Sequence, residues 1–407
     1  MKKLLTLVLT IAACALSTRA NAAGQKGAEA KPKRVIVAFR EALDPDARKS
    51  VLDQFSLKEV DDLGAFNAVA AEAPRGKYQP SSMRLMSDPN VLLVEEDFVT
   101  NWIKVAAPLP QAPLPSLSEV MGQLPKFEKK DASNGEIPWG VARVKADKAW
   151  SVTQGEGVKV AVVDTGIDCA HPDLAGQCAG GVNFVDKKKP PMDDNSHGTH
   201  VSGTIAALKD GNGVVGVAPK ARLYAVKVLD SEGSGSLFDI IKGLVWCANN
   251  GMQVANLSLG APNGSTLLRL AVAYAKARGV TVMAAAGNDS GSVNYPAAYQ
   301  ESVIAVAAMD ADDKIADFSS RGKEVAFIAP GVGVKSTIPG GKYDWYDGTS
   351  MATPHMSGLA ALAVSRGAKG MDAVKAALSK AAEPVKGLTP AEQGAGVVNA
   401  AKLVGAK

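Results

Sequence analysis

Apolar residues follow two rhythms along this chain. Short unbroken runs, Val158–Val163, Ala221–Leu229, Val254–Leu259, Val280–Ala286 and Val303–Ala308, alternate with longer segments where apolar residues return every three or four positions, Thr199–Leu208, Leu237–Asn250, Thr266–Arg278, Ser350–Arg366 and Met371–Ala382. The runs predict strands buried on both faces, hence a parallel sheet, and the periodic segments predict helices that cover it. Folds of this kind place their chemistry at the carboxyl edge of the sheet. A smaller unit precedes this one: Lys33–Phe39 and Phe66–Ala71 read as strands, Asp46–Phe55 as a helix, and Asp88–Asp97 closes it. Residues 104–133, with Pro108, Pro110, Pro113, Pro115, Pro125 and the Lys126–Lys130 stretch, read as an extended linker without a core.

Candidate chemistry concentrates at strand ends and helix starts. In Gly348-Thr349-Ser350-Met351-Ala352-Thr353-Pro354-His355 a glycine-led turn runs into a helix pattern, which places Ser350 at a helix N-terminus. Unpaired N–H groups of the first turn and the positive end of the helix dipole favour an anion forming beside it. A serine hydroxyl is a poor nucleophile at neutral pH, so acyl transfer also requires a base, a group that orients the base, and an oxyanion donor. Asp193-Asp194-Asn195-Ser196-His197-Gly198-Thr199-His200 offers the base. Val160–Asp168 offers Asp164 at the close of the first strand, and Ala284-Ala285-Ala286-Gly287-Asn288 offers a carboxamide after another.

Asp164-Thr165-Gly166, His197-Gly198-Thr199-His200 and Gly348–Pro354 together, in the order Asp, His, Ser, resemble the three motifs of the subtilisin-like serine proteases. The resemblance covers nearly everything after residue 32. It implies a doubly wound α/β fold with a mostly parallel sheet flanked by helices, preceded by a small α+β propeptide that templates folding and fills the cleft. Ser350 would attack the scissile carbonyl, His197 would move the proton, Asp164 would orient the imidazole, and Asn288 with the Ser350 backbone N–H would receive the oxyanion. Gly233-Ser234-Gly235 and Ser258-Leu259-Gly260 resemble the segments that bind an extended peptide as an added strand, a mode that tolerates many sequences. Ala285–Gly287 and Asn294 would bound the pocket for the residue before the cut. Its expected preference is a large apolar side chain, tempered by the asparagine at its base. Protein and peptide substrates are the implied partners, with the chain's own propeptide as intramolecular inhibitor, and a monomer is expected.

The resemblance also implies a calcium site. Leu208-Lys209-Asp210-Gly211-Asn212-Gly213-Val214 is similar to the family's calcium loop, with Leu208, Asp210, Asn212 and Val214 as ligands, and Asp173 matches its bidentate aspartate. Oxygen donors on a glycine-punctuated loop suit Ca²⁺. The family's remaining ligand, a glutamine, aligns with Gly135, which leaves Asn134 or Glu136 to replace it.

Composition narrows the field. The chain has 407 residues, 46% of them hydrophobic, 40 glycines and 5% aromatics, which suits a large α/β core with close backbone packing. A net charge of +4 and the lack of a basic block with interleaved aromatics argue against nucleic acid as partner. Four histidines and no His-Glu-x-x-His or Cys/His cluster argue against a zinc enzyme. The first strand leads into Asp164-Thr165-Gly166 rather than Gly-x-Gly-x-x-Gly, against a nucleotide-binding enzyme. Residues 1–22 read as an export signal: Lys2 and Lys3, an apolar run Leu4–Leu16, then Ala20-Asn21-Ala22 as the cleavage site. A competing reading is a lipoprotein signal lipidated at Cys14. Export, to the periplasm or outside the cell, makes a Cys169–Cys178 bridge the expectation, and Cys247 reads as a buried small hydrophobe. The resulting division is 1–22 signal, 32–103 propeptide, 104–133 linker and 134–407 peptidase, read as one exported endopeptidase. A catalytically impaired binding protein on the same fold is the alternative.

Overall fold

The structure, a computed structural model, describes residues 34–73, 84–103 and 136–406. The export signal, Cys14, the linker 104–133, Asn134 and Gly135 lie outside them.

In the N-terminal unit, strands β1 (Arg34–Phe39), β2 (Lys58–Leu63), β3 (Ala68–Glu72) and β4 (Val91–Glu96) form an antiparallel sheet in the order β2-β3-β1-β4. One helix, Pro45–Gln54, is started by Asp44, whose carboxylate accepts from Ala47 N at 2.8 Å, and by a proline at its first position. That helix covers one face of the sheet through Val51 and Leu52, against Val35, Val37, Val69 and Ala71. The opposite face, with Ile36, Ala38, Ala68 and Ala70, joins the core of the larger unit. β2 is absent from the sequence expectation because its charged residues give it no apolar run. A fifth strand, β5 (Val99–Asn101), leaves this sheet and pairs elsewhere.

The larger unit holds β6 (Lys159–Asp164), β7 (Cys178–Asn183), β8 (Arg222–Lys227), β9 (Ser234–Ser236), β10 (Val254–Leu257), β11 (Thr281–Ala285), β12 (Ile304–Met309) and β13 (Val325–Pro330). Seven of them form one sheet in the order β13-β12-β11-β10-β6-β8-β7, every pair parallel. β10, β11 and β12 are buried along their whole length, as unbroken apolar runs require. The edge strand β7 was invisible to that rule because its glycines and exposed residues break the pattern. From β6 the chain builds outward to β7 and β8, then returns beside β6 with β10 and builds the other way. The turnover point between β6 and β10 is where such folds bind ligands.

Helix Thr349–Ser365 is buried on all sides and packs on β10 to β13, as a helix apolar around its circumference must. The hairpin β14 (Val334–Ile338) and β15 (Lys342–Tyr346) leans on helix His197–Ala206. Cys169 and Cys178 are bridged, as the export reading expected. Cys247 is buried, and burial raises its thiol pKa, which keeps it unreactive. No helix among the described residues is long and apolar enough to cross a membrane.

Candidate active site

Asp164 is the last residue of β6, and His197 is the first of helix His197–Ala206. His197 Nδ1 donates to Asp164 Oδ1 at 2.8 Å, with the carboxylate fully buried. This hydrogen bond fixes the tautomer and leaves Nε2 to accept a proton. Burial by itself would lower the imidazole pKa. The charge and hydrogen bond of Asp164, joined by the charge of Asp193, outweigh burial, and the pKa is raised above its ordinary value of 6.5.

Ser350 is the second residue of helix Thr349–Ser365, after Gly348 at φ +153°, and is 7% exposed. Its hydroxyl donates to Ser258 O at 3.0 Å, and no hydrogen bond joins it to His197 in this structure. Ser258 Oγ in turn donates to Ser350 O at 2.7 Å, so β10's end and the helix start are tied from both sides. Asn288, three residues past β11, accepts through Oδ1 from both Thr349 N and Thr349 Oγ1, each at 2.9 Å. Those two bonds aim its amide nitrogen at the serine turn. A Cβ placed on Gly348 would lie 3.5 Å from Asn288 Nδ2 and 3.5 Å from Ser350 N. The two donors therefore lie around one point beside Ser350, the position that a Cβ on Gly348 would take.

A pocket opens next to them, lined by Leu259, Gly260, Ala285, Gly287, Asn288, Asp289, Asn294, Thr349 and Ser350, with Trp102 of the N-terminal unit also on its wall. Its floor is tight. A Cβ on Gly287, at φ +119°, would come 2.6 Å from Asn294 Nδ2. Asn294 Nδ2 also donates to Asp289 Oδ2 at 3.1 Å, which puts a polar pair on the pocket's lining.

The subtilase family model matches residues 155–399. The chain belongs to the subtilase family. It is a serine endopeptidase by that membership and by its relatives. Subtilisin E of Bacillus subtilis (strain 168) is 41% identical over 372 residues, spanning 89% of this chain and 87% of that protein. Subtilisin of Bacillus pumilus is 51% identical over 237 residues, 56% of this chain and 85% of its own length. Subtilisin Savinase of Lederbergia lenta is 54% identical over 228 residues, 56% and 83% of the two chains.

Within this subtilase the cleft is occupied by its own N-terminal unit. β5 pairs antiparallel with β9, matching Val99 to Ser236, Thr100 to Gly235 and Asn101 to Ser234. Trp102 continues the grip: its N–H donates to Gly233 O at 3.0 Å, its carbonyl accepts from Gly260 N at 2.8 Å, and its indole donates to Gly235 O at 2.9 Å. Both segments expected to bind peptide, Gly233–Gly235 and Ser258–Gly260, thus flank this strand. Beyond it the chain turns, because Ile103 N donates to Asn101 Oδ1 at 3.0 Å. Elsewhere in the interface, Glu95 accepts from Ser265 Oγ, Thr266 N and Leu267 N at the start of helix Thr266–Ala277. Asp97 accepts from Phe238 N at the start of helix Leu237–Asn249. Each carboxylate meets the positive end of a helix.

The loop expected to hold calcium is folded as a closed turn on the protein. Asp173 Oδ2 accepts from Val214 N at 2.8 Å and Oδ1 from Tyr343 Oη at 3.0 Å. Asp210 Oδ1 accepts from Asn212 N, and Glu136 Oε1 accepts from Asp210 N and Gly211 N. Among the described residues no group of three or more His, Cys, Asp or Glu gathers as for a metal. The donor set nevertheless fits a hard cation: the carbonyls of Leu208, Asn212 and Val214 accept no protein hydrogen bond among the described residues, and the carboxylates of Asp173 and Asp210 keep lone pairs to spare.

Four residues of this region escaped sequence reasoning. Thr165, Asp193 and Thr349 stood inside quoted motifs, yet only packing shows what each holds. Trp102 carried a signal of its own, a lone aromatic at the end of the N-terminal unit.

Proposed function

We propose that this subtilase is an exported endopeptidase of broad specificity, made as a zymogen whose N-terminal unit (residues 32–103) inhibits the peptidase until cut. The observation that carries the catalytic reading is the 2.8 Å hydrogen bond between His197 and Asp164, on a helix packed against the one whose N-terminus holds Ser350 and its two neighbouring donors. His197 Nε2 takes the Ser350 proton as Oγ attacks the scissile carbonyl, then returns it to the leaving amine. Asp164 holds the imidazole in its tautomer and stabilises the cation that forms. Asn288 Nδ2 and Ser350 N–H receive the oxyanion; neither donor carries a proton it would lose in the working pH range. With the N-terminal strand in place, the Ser350 hydroxyl donates to Ser258 O, and catalysis requires it to leave that acceptor for His197.

Substrate takes the place of residues 99–102 between Gly233–Gly235 and Ser258–Gly260, bound through its main chain. That mode supports broad specificity. Leu259 and Ala285 give the pocket apolar walls for a large apolar residue before the cut, with Asn294 as a polar part of its lining. Asp173, Asp210, Leu208, Asn212 and Val214 would hold Ca²⁺, which contributes native-state stability when bound. Relatives named subtilisin and the Cys169–Cys178 bridge support export. The test is Ser350→Ala: purified full chain should fold yet stay uncut and inactive toward casein. Normal processing of that variant would overturn the reading.

A further inference from the structure

We propose that Asp193 is a positioning residue that staples the Asp164 turn to the start of the His197 helix, holding in register the two side chains on which the base depends. This rests on the triad reading above.

Asp193 is 4% exposed and its carboxylate accepts from donors on both sides. Oδ1 accepts from Thr165 Oγ1 at 2.8 Å, Asn195 N at 3.0 Å and Ser196 N at 3.0 Å. Oδ2 accepts from Thr199 N at 2.8 Å and Thr199 Oγ1 at 2.6 Å. Thr165 directly follows Asp164, while Ser196 and Thr199 bracket His197. Thr165 Oγ1 also accepts from Gly198 N at 2.9 Å, so one hydroxyl bridges the carboxylate to the residue after His197. Ser196 is held at φ +111°, a conformation side chains disfavour and surroundings must enforce. Apart from Asp164 itself, which accepts from His197 Nδ1, no carboxylate among the described residues other than that of Asp193 accepts from both elements. Asp194, its neighbour, is paired with Lys227 at 2.7 Å, and Lys227 also donates to Thr165 O at 2.5 Å. Lys227 thus braces the same turn from the β8 side.

Every bond to Asp193 comes from a donor, so a carboxylate suits the site and a carboxamide does not: its NH₂ would face N–H and O–H groups. Its negative charge also helps to hold the His197 pKa up, alongside Asp164, while His200 on the next turn is neutral. Asp193 therefore acts on geometry and on basicity together.

The test compares Asp193→Asn with wild type, each expressed as the full chain and processed to the mature enzyme, with active sites counted by a serine-directed phosphonate and kcat and kcat/KM of a chromogenic peptide followed against pH. Expected are a kcat loss on the order of 10²-fold, as for a small misplacement of reacting groups, and an acid limb displaced to lower pH. Wild-type kcat, or a loss uniform across pH with the limb unmoved, overturns the proposal. If that variant does not fold, Thr165→Val decides, since it keeps the carboxylate and removes the bridging hydroxyl. Reduced kcat with an unmoved acid limb, rescued by Thr165→Ser, supports the staple; wild-type kcat in Thr165→Val overturns it. Ser350→Ala, assayed in parallel, reports independently on the triad.

Discussion

Asn288 shows how one side chain is tuned by its neighbours. Its oxygen is consumed by Thr349 N and Oγ1, and that fixes which end of the amide faces the reacting carbonyl. Asn288→Ala should lower kcat about 10²- to 10³-fold with little change in KM, a magnitude taken from subtilisin itself. Steady-state kinetics on titrated enzyme checks it, and a loss confined to KM would contradict it. The raised His197 pKa sets the pH dependence: the base must be neutral to accept a proton, so activity should rise with pH through a midpoint above 6.5. A midpoint below that value in kcat/KM would show that burial, rather than Asp164, dominates. Asp164, His197, Ser350 and Asn288 were legible in the sequence because each stands in a short motif whose residue types the chemistry demands. Asp193, Thr165 and Thr349 were not, because a hydrogen-bond acceptor or donor has no pattern until the fold brings its partners within 3 Å.

At the level of elements, burial on both faces made β6, β10, β11 and β12 readable as strands, and three-to-four spacing made their covering helices readable. Exposed elements carry no such signal. β7 is exposed through its middle and contains glycine, β15 is nowhere buried, and β2 is largely charged, so no apolar run marks them. The interface helices make a prediction of their own. Glu95 takes three donors at the start of helix Thr266–Ala277. Charge-assisted hydrogen bonds contribute about 1.5–3 kcal/mol each, and tenfold in affinity is about 1.4 kcal/mol. Glu95→Ala in the isolated N-terminal segment, added in trans to mature enzyme, should therefore weaken inhibition by at least about tenfold. An unchanged inhibition constant would show that the β5 strand and Trp102 suffice.

For the whole molecule, acid and metal are the informative variables. His200 and His355 are fully buried, each making backbone hydrogen bonds through one nitrogen while the other, His200 Nδ1 and His355 Nε2, has no partner among the described residues. Burial, joined for His200 by the nearby His197, lowers their pKa values to about 3 and about 4 from 6.5. Both rings stay neutral when folded and take up protons when unfolded below pH 6.5. Stability is therefore full above that pH and falls as pH drops toward 4 and 3. Melting temperatures of Ser350→Ala protein from pH 8 to 4 should show this decline, and a flat profile would contradict it. A chelator should lower the melting temperature at pH 8, and Asp173→Ala should abolish the effect, since a ligand bound to the native state alone stabilises it by mass action. An equal response in both proteins would remove the loop from the account.

The central claim is that Ser350 is a nucleophile activated by His197. It is tested most directly by treating processed enzyme with a serine-directed sulfonyl fluoride and mapping the adduct by mass spectrometry. The account predicts one adduct per molecule, on Ser350, with activity lost in proportion. Full loss of activity with the adduct on another residue, or full labelling with activity retained, would contradict it.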